Sequence, residues 1–168
     1  MTSTNYKNWI ATLDIKTCID CKSRHGKIYL AEEIVNPEPP LHPRCRCVIK
    51  WLKALSAGTA TKNATNGADW WLKHSNKLPI YYISSQEAKN LGYNPLLGNL
   101  SVVAPEKMLF KGIFKNKNGH LPSALGRVWY EADINYTRGY RGSDRIIYSN
   151  DGLIFVTYDH YNTFIEII

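Results

Sequence analysis

The spacing of apolar side chains changes part-way along this chain from the period of a helix to the period of a strand. Helical spacing comes first, at Ala68, Trp71, Leu72 and Ser75. Later segments alternate or run apolar at the length of strands, namely 128–134, 145–148, 153–157 and 163–168. Helices followed by strands on short connections predict an α+β fold, with N-terminal helices packed on a C-terminal antiparallel β-sheet.

Local signals mark where these elements begin and end. Asn66 or Thr65 is the candidate N-cap of the first helix. The residues at 84–87 (Ser-Ser-Gln-Glu) form a capping-box pattern, which predicts a second, short helix that Gly92 would close. The residues at 150–152 (Asn-Asp-Gly) predict a hairpin turn between two of the strands.

Composition divides the chain into three parts. Residues 56–67 are small, polar and rich in turn formers, which predicts a flexible linker. Residues 1–55 contain all 4 cysteines and form a predicted Cys/His-rich module. Residues 68–168 form the predicted α+β domain. A length of 168 residues has room for one ordinary domain and a small additional module.

The chain is basic, with a formal net charge of +7 and a sequence pI of about 9.2. Such an excess can serve solubility alone, or it can attract a polyanion such as RNA. No stretch approaches the roughly 18 apolar residues of a membrane span, so no membrane partner is expected. The first residues lack the apolar core of a secretory signal, so the sequence leaves the localisation unknown.

The C-terminal part of the chain contains a carboxylate, two guanidinium groups and an imidazole. They belong to Glu131, Arg141, Arg145 and His160. Cleavage of RNA without a metal needs a base for the 2′-hydroxyl, an acid for the departing 5′-oxygen and cationic donors for the phosphate. Taken singly, each residue has an ordinary explanation, as an exposed strand carboxylate, a surface histidine or solubilising arginines. Taken together, they supply the parts of this reaction, but the set alone does not distinguish it from those ordinary roles.

Short motifs follow in a fixed order from Thr59 to Ile168. They lie at 77–79, 98–100, 103–105, 126–129, 131–137, 141, 143–146, 148–149 and 159–161. In this order they resemble the barnase-like microbial ribonucleases, which prefer guanine. The resemblance implies that Glu131 is the general base, that His160 is the general acid, and that Arg141 and Arg145 clamp the scissile phosphate.

The reaction implied by the resemblance is that of a cyclising endoribonuclease. A ribose 2′-oxygen attacks its own phosphorus and leaves a 2′,3′-cyclic phosphate, so DNA, which lacks this nucleophile, is not a substrate. No cofactor is needed for catalysis. The substrate-binding residues that the resemblance implies are Phe114, Lys115, Asn116, Lys117, Asn118, Tyr140 and Tyr161.

Three positions depart from the family pattern. Ser85 stands where the family has a lysine that stabilises charge on the phosphate; Lys77, Lys89 and Lys115 are candidates to replace it. Asn118 stands where a glutamate grips guanine, and a neutral amide accepts only one of the two hydrogen bonds that a carboxylate takes. Gly112 stands in place of an aspartate just before this loop. These departures predict a weaker guanine preference.

The cysteines form two close pairs, Cys18 with Cys21 and Cys45 with Cys47, and His25 and His42 lie near them in sequence. Two such pairs can build a tetrahedral structural zinc site. Disulfides in an oxidising compartment and free structural thiols are the alternatives.

Residues 9–47 resemble the C-terminal tail of phage head-morphogenesis (minor capsid) proteins. The matching pieces lie at 9, 11–14, 17–18, 21, 25–26, 40–43 and 45–47. This resemblance implies association with a phage-like particle or a delivery role for the module. Together the two resemblances imply a secreted or delivered toxin, whose partners are RNA and a small acidic inhibitor that fills the basic cleft.

A protein of another class remains open. Ser85 and Asn118 favour a nonenzymatic RNA-binding or phage-head structural protein that keeps a degenerate ribonuclease scaffold.

Overall fold

The computed structural model describes residues 4–25, 27–30, 33–117 and 119–168. The chain divides into two compact units, Thr2–Ala54 and Leu55–Ile168. Among the described residues, no helix is long and apolar enough to cross a membrane.

The N-terminal unit contains more regular structure than the sequence predicts. Its elements are strand β1 (Thr4–Ile10), helix α1 (Ile19–Arg24), strand β2 (Ile28–Leu30) and strand β3 (Val48–Leu55). Strand β1 pairs antiparallel with both β2 and β3. Its small core contains Trp9, Ala11, Val35 and two cysteines, Cys21 and Cys47.

The first two helices of the C-terminal unit match the predicted positions. The α-helices of this unit are α2 (Ala68–Ser75), α3 (Ser85–Asn90) and α4 (Leu100–Val103). The capping box is confirmed, because the Ser84 hydroxyl accepts from the Glu87 amide and the Glu87 carboxylate accepts from the Ser84 amide. After α3, Gly92 adopts a positive φ of 95°, where glycine carries no steric cost.

The N-cap of α2 differs from the prediction. Residue Gly67 caps the helix, because Ala64–Asn66 form a 3₁₀ turn directly before it. A Cβ on Gly67 would lie 1.8 Å from the Thr61 hydroxyl, so only glycine fits at this helix start. Asn66 and Thr65 are therefore not the N-cap.

Six strands of the C-terminal unit form one sheet. They are β4 (Tyr82–Ser84), β5 (Met108–Phe114), β6 (Trp129–Asp133), β7 (Arg145–Ser149), β8 (Ile154–Thr157) and β9 (Ile165–Ile167), and within this unit they lie in the order β9-β8-β7-β6-β5-β4. All neighbouring pairs are antiparallel except β4 with β5, which is parallel. The α+β prediction is confirmed, although β4 and β5 were not foreseen.

The hairpin predicted at residues 150–152 joins β7 and β8. At its base, the Ser149 amide donates to the Leu153 carbonyl at 2.8 Å.

Alternation along the strands separates the two faces of this sheet. One face packs on α2 through a cluster that contains Leu72, Ala132, Ile146 and Val156. The strand residues between them point to the other face. That face carries a second cluster built on Leu121, Trp129 and Ile147, against which aromatic side chains pack at Phe114, Phe155, Tyr161 and Phe164. The charged residues discussed below lie on this aromatic side.

Residues 56–67, predicted as a flexible linker, are instead packed within the C-terminal unit. Ala60 is fully buried. The carboxylate of Asp69, also fully buried, accepts from the amides of Gly58 and Ala60 at 2.7 and 2.9 Å and from the Thr61 hydroxyl at 3.0 Å. A buried carboxylate needs such donors, so the turn-forming composition of this segment builds an anchored loop.

Candidate active site

The register of strands β6 and β7 brings charged side chains onto one face. Glu131 and Asp133 are two residues apart on β6, so both point to the same side of the sheet. Asp133 is the cross-strand partner of Arg145, and Glu131 is the partner of Ile147. Two carboxylates and a guanidinium group are therefore fixed by strand geometry.

Asp133 holds both of the predicted phosphate-binding arginines. Its carboxylate is 1% exposed and accepts two hydrogen bonds from Arg141, from Nε at 2.5 Å and from Nη2 at 2.6 Å. The Nε of Arg145 lies 3.1 Å from Asp133 Oδ1. Burial alone would lower the pKa of Arg141, but the hydrogen bonds and charge of Asp133 raise it.

Arg145 retains a buried donor group. Its Nη1 donates to the Asp144 carbonyl at 2.7 Å. Its Nε is buried and, among the described residues, makes no aligned hydrogen bond. The same Nε lies 3.6 Å from Glu131 Oε1, so both carboxylates are within ion-pair distance of it.

The carboxylate of Glu131 has a second partner in Tyr161. The Tyr161 hydroxyl donates to Glu131 Oε1 at 2.6 Å. Burial, followed by this hydrogen bond, raises the pKa of Tyr161 to about 12, so the phenol stays protonated and remains a donor. Glu131 thus sits between a hydroxyl donor and a guanidinium group.

His160 lies in the connection between β8 and β9. It is exposed, and its ring centroid is 4.8 Å from that of Tyr161. Asp159 fixes this connection by accepting hydrogen bonds from Thr157, Asn162 and Thr163. Hydrogen bonds from Thr163 lower the pKa of Asp159 to about 2, so these bonds are present at neutral pH.

Tyr161 also borders a pocket of about 250 Å³. Phe114 stacks on Tyr161, with 5.6 Å between ring centroids, and forms an apolar wall. The pocket is lined by Phe114, Lys115, Asn116, Lys117, His120, Tyr161 and Phe164. Aromatic faces and lysines together suit a nucleobase and its phosphate.

Four of the five loop residues predicted to bind substrate line this pocket. Their side chains differ in charge and in hydrogen bonding. Asn116 closes the loop itself, because its side-chain amide donates to the Leu121 carbonyl and accepts from the Leu121 amide. Lys115 and Lys117 supply positive charge. Asn118 lies outside the described residues.

Tyr140 lies away from this pocket. Its hydroxyl donates to the Leu96 carbonyl at 3.0 Å, and its side chain packs over Gly98, whose added Cβ would meet the Tyr140 amide at 3.0 Å. Its substrate-binding role stays a prediction.

The structure adds three residues to the site that the sequence reasoning missed. Asp133 organises both arginines, and its spacing of two from Glu131 was the available signal. His120 and Phe164 line the pocket with their rings 6.0 Å apart. No sequence spacing connects these two positions.

Ser85, which stands where the resemblance places a family lysine, is the first residue of helix α3. Among the described residues, the buried hydroxyl oxygen of Ser85 has no hydrogen-bond partner. Of the three lysines named as candidates to replace the charge, Lys115 is the one that lines the pocket beside Tyr161.

The cysteines of the N-terminal unit also cluster. The ligand atoms lie within 4.8 Å of one another in two groups, Cys18 with Cys21 and His42, and Cys21 with Cys45 and Cys47. A Cys/His group that could hold a metal is therefore present.

Comparison with known proteins identifies the family of the chain. The sequence profile of the ribonuclease family matches residues 53–168. The chain belongs to the ribonuclease family. A ribonuclease from Heyndrickxia coagulans is 46% identical over 108 residues, which are 64% of this chain and 99% of that protein. Ribonucleases from Bacillus intermedius and Bacillus pumilus are each 46% identical over 108 residues, covering 64% of this chain and 67% of each relative.

Membership of the family fixes the class of activity. This ribonuclease has a barnase-like fold, RNA as its substrate class and endoribonuclease activity. The match begins at residue 53, so the resemblance of the preceding residues to phage head proteins stays a prediction.

Proposed function

We propose that this ribonuclease cleaves single-stranded RNA by transphosphorylation through a 2′,3′-cyclic phosphate. The observation that carries the proposal is the placement of the Glu131 carboxylate between the Tyr161 hydroxyl and the Arg145 guanidinium, beside an aromatic pocket. A carboxylate fixed in this way can accept a proton without moving, while the cationic group is already near the phosphate.

In the proposed reaction, Glu131 removes the proton from a ribose 2′-hydroxyl. The 2′-oxygen forms a bond to the adjacent phosphorus, and the bond from phosphorus to the 5′-oxygen breaks. His160 gives a proton to that departing oxygen. Arg141 and Arg145 stabilise the extra negative charge on the phosphate, and their attachment to Asp133 holds them in place before substrate arrives.

The aromatic pocket supports a site for the base next to the cleaved bond. Phe114 and Tyr161 offer stacking surfaces, which accept any base, and Lys115 and Lys117 offer charge. Selectivity for guanine depends on hydrogen bonds to the base edge, and Asn118 replaces a carboxylate in that role. We therefore expect guanine preference to be weaker than in the family.

The biological role that fits these features is that of a toxin. A secreted or delivered ribonuclease destroys RNA in a target cell, and the producing cell then needs an inhibitor. A small acidic protein suits a chain of net charge +7. The N-terminal unit, with its resemblance to phage head proteins, would attach the enzyme to a particle or delivery system.

Any metal in this protein has a structural role in the N-terminal unit, whereas the proposed catalysis uses side chains alone. The sulfur-rich donor set of that unit favours zinc.

The experiment that tests catalysis is cleavage of a short single-stranded RNA in the presence of EDTA, with product masses measured. We expect fragments that end in a cyclic phosphate, one water lighter than a 3′-phosphate, and no cleavage of DNA of the same sequence. Glu131→Gln and His160→Ala should each lower the rate by about 10²–10⁴.

Matched controls come from the same unit. Glu106→Gln changes an exposed glutamate, and His74→Ala changes a histidine stacked on Trp70 in helix α2. Both should keep full activity. RNA that stays intact while still bound would instead support a nonenzymatic RNA-binding or phage-head structural protein, which the hydroxyl of Ser85 in place of a lysine favours.

A further inference from the structure

The N-terminal unit brings five sulfur and nitrogen donors around one small space. Cys18, Cys21, His42, Cys45 and Cys47 come from two segments that are about twenty residues apart, and a cavity of about 20 Å³ lies among them. That volume is close to the space of a single atom or water molecule. All four cysteines are free thiols.

Three of the donor distances match those of a tetrahedral metal site. With metal–sulfur bonds of about 2.3 Å and metal–nitrogen bonds of about 2.0 Å, two sulfurs lie about 3.7 Å apart and a sulfur and a nitrogen about 3.5 Å apart. Here Cys21 Sγ is 3.7 Å from Cys45 Sγ and 3.5 Å from His42 Nε2. Cys18 Sγ is 3.2 Å from the same His42 nitrogen.

The ring of His42 is oriented as a ligand. Its Nδ1 lies 2.9 Å from the Pro43 carbonyl, which can only accept, so Nδ1 carries the proton and donates. In the neutral imidazole, Nε2 is then unprotonated, and it faces the two sulfurs. A backbone carbonyl that fixes the tautomer in this way is the usual outer partner of a metal-bound histidine.

His25, the other histidine near the cysteines, makes a hydrogen bond to the backbone instead. Its Nδ1 accepts a hydrogen bond from the Ala11 amide at 3.0 Å. It is therefore a structural residue of the N-terminal unit.

Backbone contacts hold the two ligand-bearing segments in place. The Cys21 amide donates to Cys18 Sγ at 3.4 Å, across the first turn of helix α1. The Cys45 amide donates to the His42 carbonyl at 3.0 Å, so His42 and Cys45 lie on one turn. Arg46 binds Asp14 through two hydrogen bonds of 2.7 Å, which tie the segment before Cys18 to the segment after His42.

We propose that Cys18, Cys21, His42 and Cys45 bind one zinc ion, and that Cys47 is a core thiol rather than a ligand. The sulfurs of Cys21, Cys45 and Cys47 lie within 4.8 Å of one another, and Cys45 is assigned as the ligand because its sulfur is 3.7 Å from that of Cys21 and because it shares a turn with His42. Cys47 is 7% exposed and packs with Trp9 and Val35 in the apolar core. In this set, His42 takes the place of Cys47, which is one of the four cysteines that spacing alone suggests.

The proposal does not depend on ribonuclease activity, and its test is made on the full chain without RNA. Metal content of the protein purified from zinc-containing medium is measured by mass spectrometry, and thiols are counted with a chromogenic reagent before and after EDTA. We expect one zinc per chain and three thiols that become reactive only after EDTA. A protein without zinc that also binds none on titration, or one with its cysteines in disulfides, would overturn the proposal.

Substitutions distinguish Cys45, the proposed ligand, from Cys47, the proposed core thiol. Cys45→Ser and His42→Asn should lose the zinc, whereas Cys47→Ser should keep it. Because a substituted chain can fail to fold, Co²⁺ is also titrated into metal-free wild-type protein and into Cys47→Ser. Both should give the same visible spectrum of tetrahedral cobalt with three thiolates. Zinc retained in Cys45→Ser and lost in Cys47→Ser would show that the ligand set is wrong.

Discussion

Arg141 and Asp133 form a two-point ion pair, with Nε donating to Oδ2 at 2.5 Å and Nη2 donating to Oδ1 at 2.6 Å. The carboxylate is buried and the guanidinium group is partly exposed, at 1% and 19% of the side-chain surface. One buried carboxylate thus orients an arginine that still reaches solvent, and it also lies 3.1 Å from the Nε of the neighbouring Arg145. Phosphate can bind to this arginine without the cost of ordering it.

Replacing Asp133 with asparagine should destabilise the protein. The substitution leaves Arg145, 5% exposed, without a full opposing charge, and breaking a buried ion pair typically costs about 3–5 kcal/mol. The measurement is the free energy of unfolding in urea. Asp151→Asn is the control, because its pair with Arg127 at 2.7 Å is 44% exposed on the aspartate side and should contribute about 0–1 kcal/mol. Equal losses in both variants would contradict the role of Asp133.

Replacing Tyr161 with phenylalanine should lower kcat and leave KM nearly unchanged. The ring that stacks on Phe114 remains, but the hydrogen bond to Glu131 is lost, and hydrogen bonds to charged groups contribute about 1.5–3 kcal/mol. We expect kcat to fall by about tenfold or more. Steady-state kinetics on a dinucleotide measure both constants.

Tyr158→Phe is the control for this variant. Its hydroxyl donates to the Ala60 carbonyl at 2.6 Å and has no part in the proposed site. This substitution should affect stability and leave kcat unchanged. A rise in KM for Tyr161→Phe with constant kcat would show that Tyr161 serves binding and does not position Glu131.

The fold of the C-terminal unit was largely predictable because its strands β6 to β9 alternate and its helices have local signals. Strands β4 and β5 were missed for a physical reason. The first has only three residues, and the second contains Lys111 and Gly112, with a register shift at Gly112 that interrupts the alternation. Pairing with neighbours, rather than local propensity, makes these segments strands.

The site was predictable only in part, because sequence gives residue types and not contacts. The Glu131 and Arg145 positions followed from motifs in a known order. Asp133 lies in the same motif, but its role depends on its cross-strand pairing with Arg145. His42 was noticed near the cysteines, and its orientation toward Cys18 depends on a hydrogen bond to Pro43 that no spacing reveals.

Replacing Ser85 with lysine should increase activity. Within the described part of the chain, its buried hydroxyl oxygen has no hydrogen-bond partner, and the resemblance places a lysine at this position. One cationic donor placed near the phosphate in the transition state should raise kcat/KM by about tenfold or more. Gln86→Lys, one residue farther along helix α3, adds the same charge at an exposed position and should have little effect.

Lys115 provides a second check of this prediction. If Lys115 compensates for Ser85, Lys115→Ala should lower kcat/KM strongly in the wild-type chain and less in the Ser85→Lys chain. Lys89→Ala, on helix α3, should change neither. Equal effects of Lys115→Ala in both backgrounds would show that the two positions act independently.

Replacing Glu166 with glutamine should stabilise the protein above neutral pH and have no such effect in acid. Burial raises the pKa of Glu166 from 4.5 to about 7, although the charge of Lys73 opposes the shift. The folded state therefore keeps a proton that the unfolded chain releases, so stability falls as pH rises from about 4.5 to about 7 and is level above that. The full loss is up to about 3 kcal/mol, and glutamine has no charge to bury. Free energies of unfolding at pH 4, 6 and 8 measure the difference, with the exposed Glu106→Gln as control. A benefit of Glu166→Gln that is equal at all three pH values would mean that side-chain packing, rather than the buried charge, accounts for it.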